Sequence, residues 1–283
     1  ISDAIVNPDA GAVPTAGEAN IEAKSVRITT TGSVGNELPT KTFKFSELDV
    51  NTEAGLDAYK VLARADVNDV VWDKANQTVT VTLKRPISVK QLGTEGRLDA
   101  SASNGSVFIA SDDKLHVGAV TAKDELRLTS QKGIEAAKNV TNSLLAGNFI
   151  TLRGGAGTLG SKNQALNINA GENGWAALTA QGGVYVNETD GDLRILSAAS
   201  GGEMVLSGQN IVMANSQQQG ADGLISAESL TLDVKNEGGS IGTDETALRV
   251  KSDTDITFAD DVVKSVNIEG RGTADFVIAD TIT

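Results

Sequence analysis

The 283-residue chain contains no cysteine, a single histidine (His116), four prolines and only 4% aromatic residues. Without cysteine there can be no disulfide, thiolate zinc site, iron–sulfur cluster or cysteine nucleophile. One histidine argues against a multi-histidine metal site and against a Ser-His triad. Basic residues are scarce. The 24 Lys and Arg stand against 37 Asp and Glu, for a net charge of −13. That balance disfavours nucleic acid and anionic membrane surfaces, which both attract Lys and Arg. No run approaches the roughly 18 apolar residues of a membrane-spanning helix. Residues 1–16 hold acids, no base and no apolar run, so no secretion signal is read there. The opening Ile1 points to a processed or excised piece of something longer.

What is present is aliphatic. With 40% hydrophobic residues and few rings, the core must be filled by Val, Ile, Leu and Ala. β-Branched side chains suit stacked, pleated strands. From Gly105 onward short apolar–polar–apolar triplets recur, among them Leu115-His116-Val117, Leu126-Arg127-Leu128, Leu166-Asn167-Ile168, Val184-Tyr185-Val186, Leu193-Arg194-Ile195 and Leu248-Arg249-Val250. In each, alternate side chains face one way. Gly, Asn, Asp and Ser lie between them as turn formers. No long helical periodicity interrupts the series, which excludes the crossover helices of an α/β sheet.

The triplets sit within a longer repeat. Gly157-Thr-Leu-Gly160, followed by Ala165-Leu166-Asn-Ile168, matches Gly239-Ser-Ile-Gly242, followed by Ala247-Leu248-Arg-Val250. A shorter echo stands at Gly32-Ser-Val-Gly35. The 82-residue offset, divided by four, gives units of about 20 residues, room for three short strands and three turns. That unit fits one turn of a parallel β-helix, in which each strand pairs with its equivalent in the next turn. The expected fold is therefore all-β, a right-handed parallel β-helix of about ten turns, roughly 50 Å long at the usual strand spacing. Gly157, Gly160, Gly239 and Gly242 are read as structural corners, with Leu159 and Ile241 pointing inward. No helix carrying Lys-Ser/Thr follows, as a phosphate loop would require.

One stretch departs from the pattern. Asn51 to Arg64 places Leu56, Tyr59, Leu62 and Ala63 at helical spacing, with Asn51 as the candidate N-cap. Val70-Val71-Trp72, a turn, and the alternating strand Val79 to Leu83 follow. Three segments result: residues 1–46 as the first turns, residues 47–92 as an inserted α+β module, and residues 93–283 as the main β-helix. The module carries six bases and seven acids, so the acidity belongs to the remainder.

The Gly239–Val250 motif resembles a recurring signature of filamentous-haemagglutinin-type adhesins. Thr78 to Leu83, Pro86-Ile87, Gly105 to Ser111 and Leu115 to Ala122 resemble the large leukotoxin-like filamentous adhesins of bacteria. The resemblance spans about residues 20–283. It implies a right-handed β-helix, export to the bacterial surface, a role in adhesion or biofilm, and no catalytic residues. The partners it implies are a host-cell or matrix glycan or protein, or neighbouring copies of the chain. No cofactor and no membrane insertion of this segment are expected.

Two other readings remain open: a carbohydrate-active β-helix enzyme and a subunit of a self-assembling extracellular filament or sheath. An enzyme would need paired carboxylates or a calcium site. Asp112-Asp113 and Asp260-Asp261 are adjacent and point to opposite faces. Asp253 and Asp255 share a face and are weak calcium candidates, but no full calcium loop surrounds them. Trp72 and Trp175 are the candidate ligand contacts. Trp175 lies in a Gly-flanked segment read as a turn. His116, between Leu115 and Val117, is expected to face outward into solvent. Asn76, Asn139 and Asn187 open glycosylation sequons by pattern.

Overall fold

The computed structural model describes residues 19–49, 51–62, 69–138, 140–214, 223–253, 256–258, 265–270 and 276–278. The chain is mostly β, and its strands alternate between two long parallel sheets. The first sheet runs Ile21–Ala23, Ile87–Gln91, Val107–Ser111, Glu125–Ser130, Phe149–Arg153, Trp175–Ala180, Leu193–Ser200, Ile211–Met213, Ser240–Ile241 and Ser265–Val266. Ile225–Ala227, Leu248–Ser252 and Ile268–Gly270 continue it alongside. The second runs Ser25–Thr30, Arg97–Ala102, Leu115–Ala122, Leu144–Ala146, Leu166–Asn169, Val184–Glu188, Glu203–Gly208, Ser229–Val234, Ile256–Phe258 and Phe276–Ile278. Ile134–Ala136 joins this sheet on Leu115–Ala122.

Each strand pairs with the one a single pass later. Val107 lies opposite Leu126, Tyr185 opposite Val205 and Thr231 opposite Thr257, separations of 19, 20 and 26 residues. Registers keep inward residues stacked on inward residues, with one-residue irregularities within Leu115–Ala122 and Leu193–Ser200 where they meet the preceding pass. Leu126, Ile150 and Ala176 form one such column, and Leu206, Leu232 and Phe258 another. The inward side chains of both sheets meet in one continuous aliphatic core. Among the described residues its members are Val, Ile, Leu, Ala and Met, with Phe258 as the one ring. Alternation explains this: a three-residue strand can bury two aliphatic side chains and leave the middle one outside.

Each sheet has a seam where short excursions leave the wall. The Gly-x-(Leu/Val/Ile)-Gly motif marks three of these exits. Leu159, Ile241 and Val34 are fully buried, and the next residues Gly160, Gly242 and Gly35 have φ of +69°, +71° and +80°. This left-handed backbone turns the chain outward immediately after the inward side chain, which favours glycine. Crowding adds to the demand. A β-carbon on Gly160 would stand 2.6 Å from the Tyr185 carbonyl oxygen, and one on Gly242 would collide with that of Asn267. After Gly160, Ser161 and Gln164 exchange backbone hydrogen bonds of 3.0 Å in each direction, and the chain re-enters at Leu166. After Gly242, Thr243 and Thr246 do the same at 2.8 and 3.3 Å, with re-entry at Leu248.

The two long copies of the motif occupy different walls. Leu159 pairs with Ile134 and Val184, in the second sheet, whereas Ile241 pairs with Ile211 and Val266, in the first. Their 82-residue offset is therefore not a whole number of passes. The local demand for a buried aliphatic followed by an outward exit recurs at both seams, and that produces the sequence repeat.

The α+β module is a large version of the same excursion. It leaves after Gly35, and antiparallel pairing of Asn36–Glu37 with Lys84–Arg85 closes its neck, as Ser161 and Gln164 close the short one. Beyond the neck, Lys41–Lys44, Thr78–Val81 and Val70–Asp73 form a three-stranded antiparallel sheet, with the helix Glu53–Leu62 beside it. Val70, Val79 and Val81 make a small separate core, flanked by Phe43, Phe45, Leu48, Val61 and Leu62. The strand Lys41–Lys44 thus lies ahead of the expected start at 47, and Ile87–Gln91 belongs to the first long sheet. Thr52, not Asn51, caps the helix: its hydroxyl accepts the Gly55 N–H at 3.0 Å. Asn51 instead donates to Asp49. Of the residues at helical spacing, Leu56 and Tyr59 are exposed, and Ala58 is the buried residue of that turn. Ala63 lies outside the described residues.

Candidate functional site

The outer wall of the first sheet is where the module docks. Alternation along Val107–Ser111 and Glu125–Ser130 turns Phe108 and Arg127 outward, and they sit opposite each other. Both are nevertheless buried. Arg127 reaches Asp69 of the module with two parallel bonds, Nη1 to Oδ2 and Nη2 to Oδ1, each 2.8 Å. Glu125, two residues along the same strand, accepts from Arg127 Nη2 at 2.6 Å and from Nε at 3.0 Å. Lys84 in the module neck lies 3.6 Å from Glu125 and also pairs with Glu37. Phe108 lies beneath, with Lys84 Nζ 5.5 Å and the Arg127 guanidinium 6.0 Å from its ring centre. Burial works against the Arg127 charge, but its bonds to Asp69 and Glu125 outweigh that and hold the guanidinium above its ordinary pKa. A bidentate guanidinium–carboxylate pair fixes orientation as well as distance.

This anchor orients the module's far side to solvent. Trp72 is 44% exposed and Val71 50%, on the edge strand Val70–Asp73. Trp72 is steadied by Phe45, with ring centres 5.7 Å apart at a tilt of 54°. Leu56 and Tyr59, one helical turn apart, are exposed as well, Tyr59 at 61%. Exposed aromatics on a rigid mount are the residue types that dominate binding hot spots.

The other sequence candidates lie apart from this surface. Trp175 is not in a turn. It opens the strand Trp175–Ala180, faces outward opposite Phe149, and is only 6% exposed. Its ring centre lies 5.0 Å from that of Phe149, and Ala177, Leu196 and Ala214 complete a small apolar cluster outside the main core. Trp175 thus packs a wall and also borders a groove of about 570 Å³ lined by Asp192, Arg194 and Glu245. Asp253 anchors a strand end through its N–H on the Ala227 carbonyl at 3.2 Å, while Asp255, Asp260 and Asp261 lie outside the described residues. Asp113 is engaged by Lys132 at 2.6 Å. Among the described residues no three His, Asp or Glu side chains converge as metal ligands. Asn139 also lies outside the described residues.

His116 departs from expectation most. It faces outward, as alternation requires, yet is only 8% exposed. The buried Gln91 side chain clasps its backbone, accepting the His116 N–H at 2.7 Å and donating to the His116 carbonyl at 3.0 Å. Gln91 thereby imitates a neighbouring strand. Neither this clasp nor the Arg127–Asp69 anchor had a local signal, because the partners are 25 and 58 residues apart. An arginine or phenylalanine at an outward strand position, flanked by core residues, was the available hint. Comparison with known proteins finds no matching family, no matching characterised protein and no matching solved structure.

Proposed function

We propose that the chain is a right-handed parallel β-helix and serves as a segment of a filamentous bacterial surface adhesin. The handedness follows from the strong preference of parallel strand connections for the right-handed sense. The stem supplies reach, because each pass contacts only its neighbours and can be repeated without limit. The module supplies contact with a host-cell or matrix partner. The observation that carries this reading is the pairing of a stacked stem with one enlarged excursion, held by a buried ion pair and displaying Tyr59, Val71 and Trp72. Bacterial origin and surface location come from the sequence resemblance.

The test replaces residues 36–85 with a four-residue turn copied from Ser161 to Gln164. The stem keeps its β-rich circular dichroism, and binding to host cells or immobilised matrix is lost. Binding that survives this replacement, or its absence in the full chain, would overturn the assignment. Trp72→Ala and Tyr59→Ala reduce binding without lowering stem stability.

A further inference from the structure

The enclosed face of His116 belongs to a cavity of about 620 Å³ on the stem, well away in sequence from the exposed module aromatics. Its size falls in the range of small-molecule sites, roughly 300–1,000 Å³. Its walls come from three segments: the strand end and turn at 90–94, residues 113–116, and residues 132–138. In a chain of net charge −13, this cavity gathers Lys90, Lys114, Lys132 and Lys138 around the only histidine, against two acids, Asp113 and Glu135. Both acids are already engaged, Asp113 by Lys132 and Glu135 by Lys114, each at 2.6 Å. Lys90 reaches Glu22 at 3.2 Å with both side chains about half exposed. Three of the four lysines are thus offset by an acid, and Lys138, exposed at the rim, supplies the excess positive charge.

His116 supplies a second, independent sign of a built site. More than nine-tenths of the residue is buried, and its Nδ1 is enclosed with no hydrogen-bond partner among the described residues. Gln91 holds its backbone N–H and carbonyl on one edge of the strand. The other ring nitrogen, Nε2, is not enclosed in this way and is the one that can meet a ligand. Burial holds the imidazole below its ordinary pKa, opposed by Glu135 and assisted by Lys114 and Lys138.

We propose that this cavity binds a small organic dianion of sugar size, a sugar phosphate or a dicarboxylate, through Lys138, Lys132 and the His116 imidazole. One oxyanion group meets Lys138, the other shares Lys132 with Asp113, and the exposed Leu92 side chain offers an apolar wall for the carbon frame. The site is independent of the adhesin reading and of the module.

The lone histidine makes the test direct, because its imidazole gives one assignable set of NMR signals. The full chain is titrated separately with glucose 6-phosphate, succinate, inorganic phosphate and uncharged glucose. Glucose 6-phosphate or succinate shifts the His116 signals saturably, and whichever acts at lower concentration identifies the oxyanion class. Glucose leaves them unmoved, and inorganic phosphate binds more weakly than the organic dianion. Lys138→Gln, at an exposed position that leaves the fold intact, weakens binding about tenfold, the loss of one charge-assisted contact. Absence of a saturable shift with both dianions would overturn the proposal. So would equal response to glucose, equal affinity for inorganic phosphate, or an unchanged affinity in Lys138→Gln.

Discussion

Cutting the Arg127–Asp69 anchor should loosen the module and leave the stem intact. Arg127 and Asp69 are both more than nine-tenths buried and share two bonds of 2.8 Å. Removing one partner of such a pair strands a charge in a poorly solvated place and costs about 3–5 kcal/mol. Asp69→Ala belongs at the low end, about 3 kcal/mol, because Arg127 keeps Glu125 at 2.6 Å. Arg127→Leu belongs at the high end, about 5 kcal/mol, because Asp69 and Glu125 then lose the cation they share. The double change Asp69→Leu with Arg127→Met recovers much of the loss, since an apolar pair of similar volume often matches a buried ion pair. Hydrogen exchange locates the effect. Amides of Thr78–Val81 exchange faster in the single variants, while those of Leu166–Asn169 and Val184–Glu188 do not. Raising salt from 0.1 to about 1 M alters the wild-type module little, because a buried pair is screened weakly. A loss below about 1 kcal/mol, the value of exposed pairs, would refute the reasoning. So would equal acceleration of exchange in module and stem.

Other consequences follow from the corners and from His116. Gly93 has φ of +78° with open space around it, so Gly93→Ala costs only the left-handed backbone, about 1–2 kcal/mol. Gly160→Ala adds a collision with the Tyr185 carbonyl and costs about 3 kcal/mol or more; equal losses in denaturant titration would refute the close approach. His116 has a folded pKa depressed by burial, so its contribution to stability is fully present above the unfolded value of about 6.5. That contribution is lost as pH falls through the folded value. Urea midpoints measured downward from pH 7 decline in the wild type and decline less in His116→Gln; parallel curves would remove His116 as the cause.

The stem was legible because its rule is local. Two aliphatics around an outward residue make a strand of a stacked wall, and Leu126-Arg127-Leu128 or Val184-Tyr185-Val186 needs no distant information to be read that way. The inward direction of Leu159 and Ile241 followed from the same logic. What stayed hidden depends on separate parts of the chain meeting. Alternation gave the outward direction of His116 but not the Gln91 side chain that clasps its backbone. Trp175 read as a turn residue because of its glycines, whereas Phe149 on the preceding pass draws it into the wall. The repeat suggested whole passes of the chain. The motif instead recurs on both walls, because each wall needs the same exit. Leu56 and Tyr59 had core spacing, but the small module sheet has room only for the side bearing Ala58, Val61 and Leu62.

The central claim is that successive passes lie parallel and in phase, and the absence of native cysteine makes it open to direct measurement. Asn167 and Asn187 are Cα partners on adjacent passes, with their side chains joined at 3.0 Å, and Thr231 and Thr257 are partners further along. Adjacent strands lie about 4.8 Å apart, inside the Cα range of about 4.4–6.8 Å that a disulfide accepts. Cysteine pairs at 167/187 and 231/257 are predicted to cross-link within the monomer on mild oxidation, while the out-of-register pairs 167/184 and 231/253 are not. Efficient cross-linking of the shifted pairs, with none at the in-register ones, would contradict it.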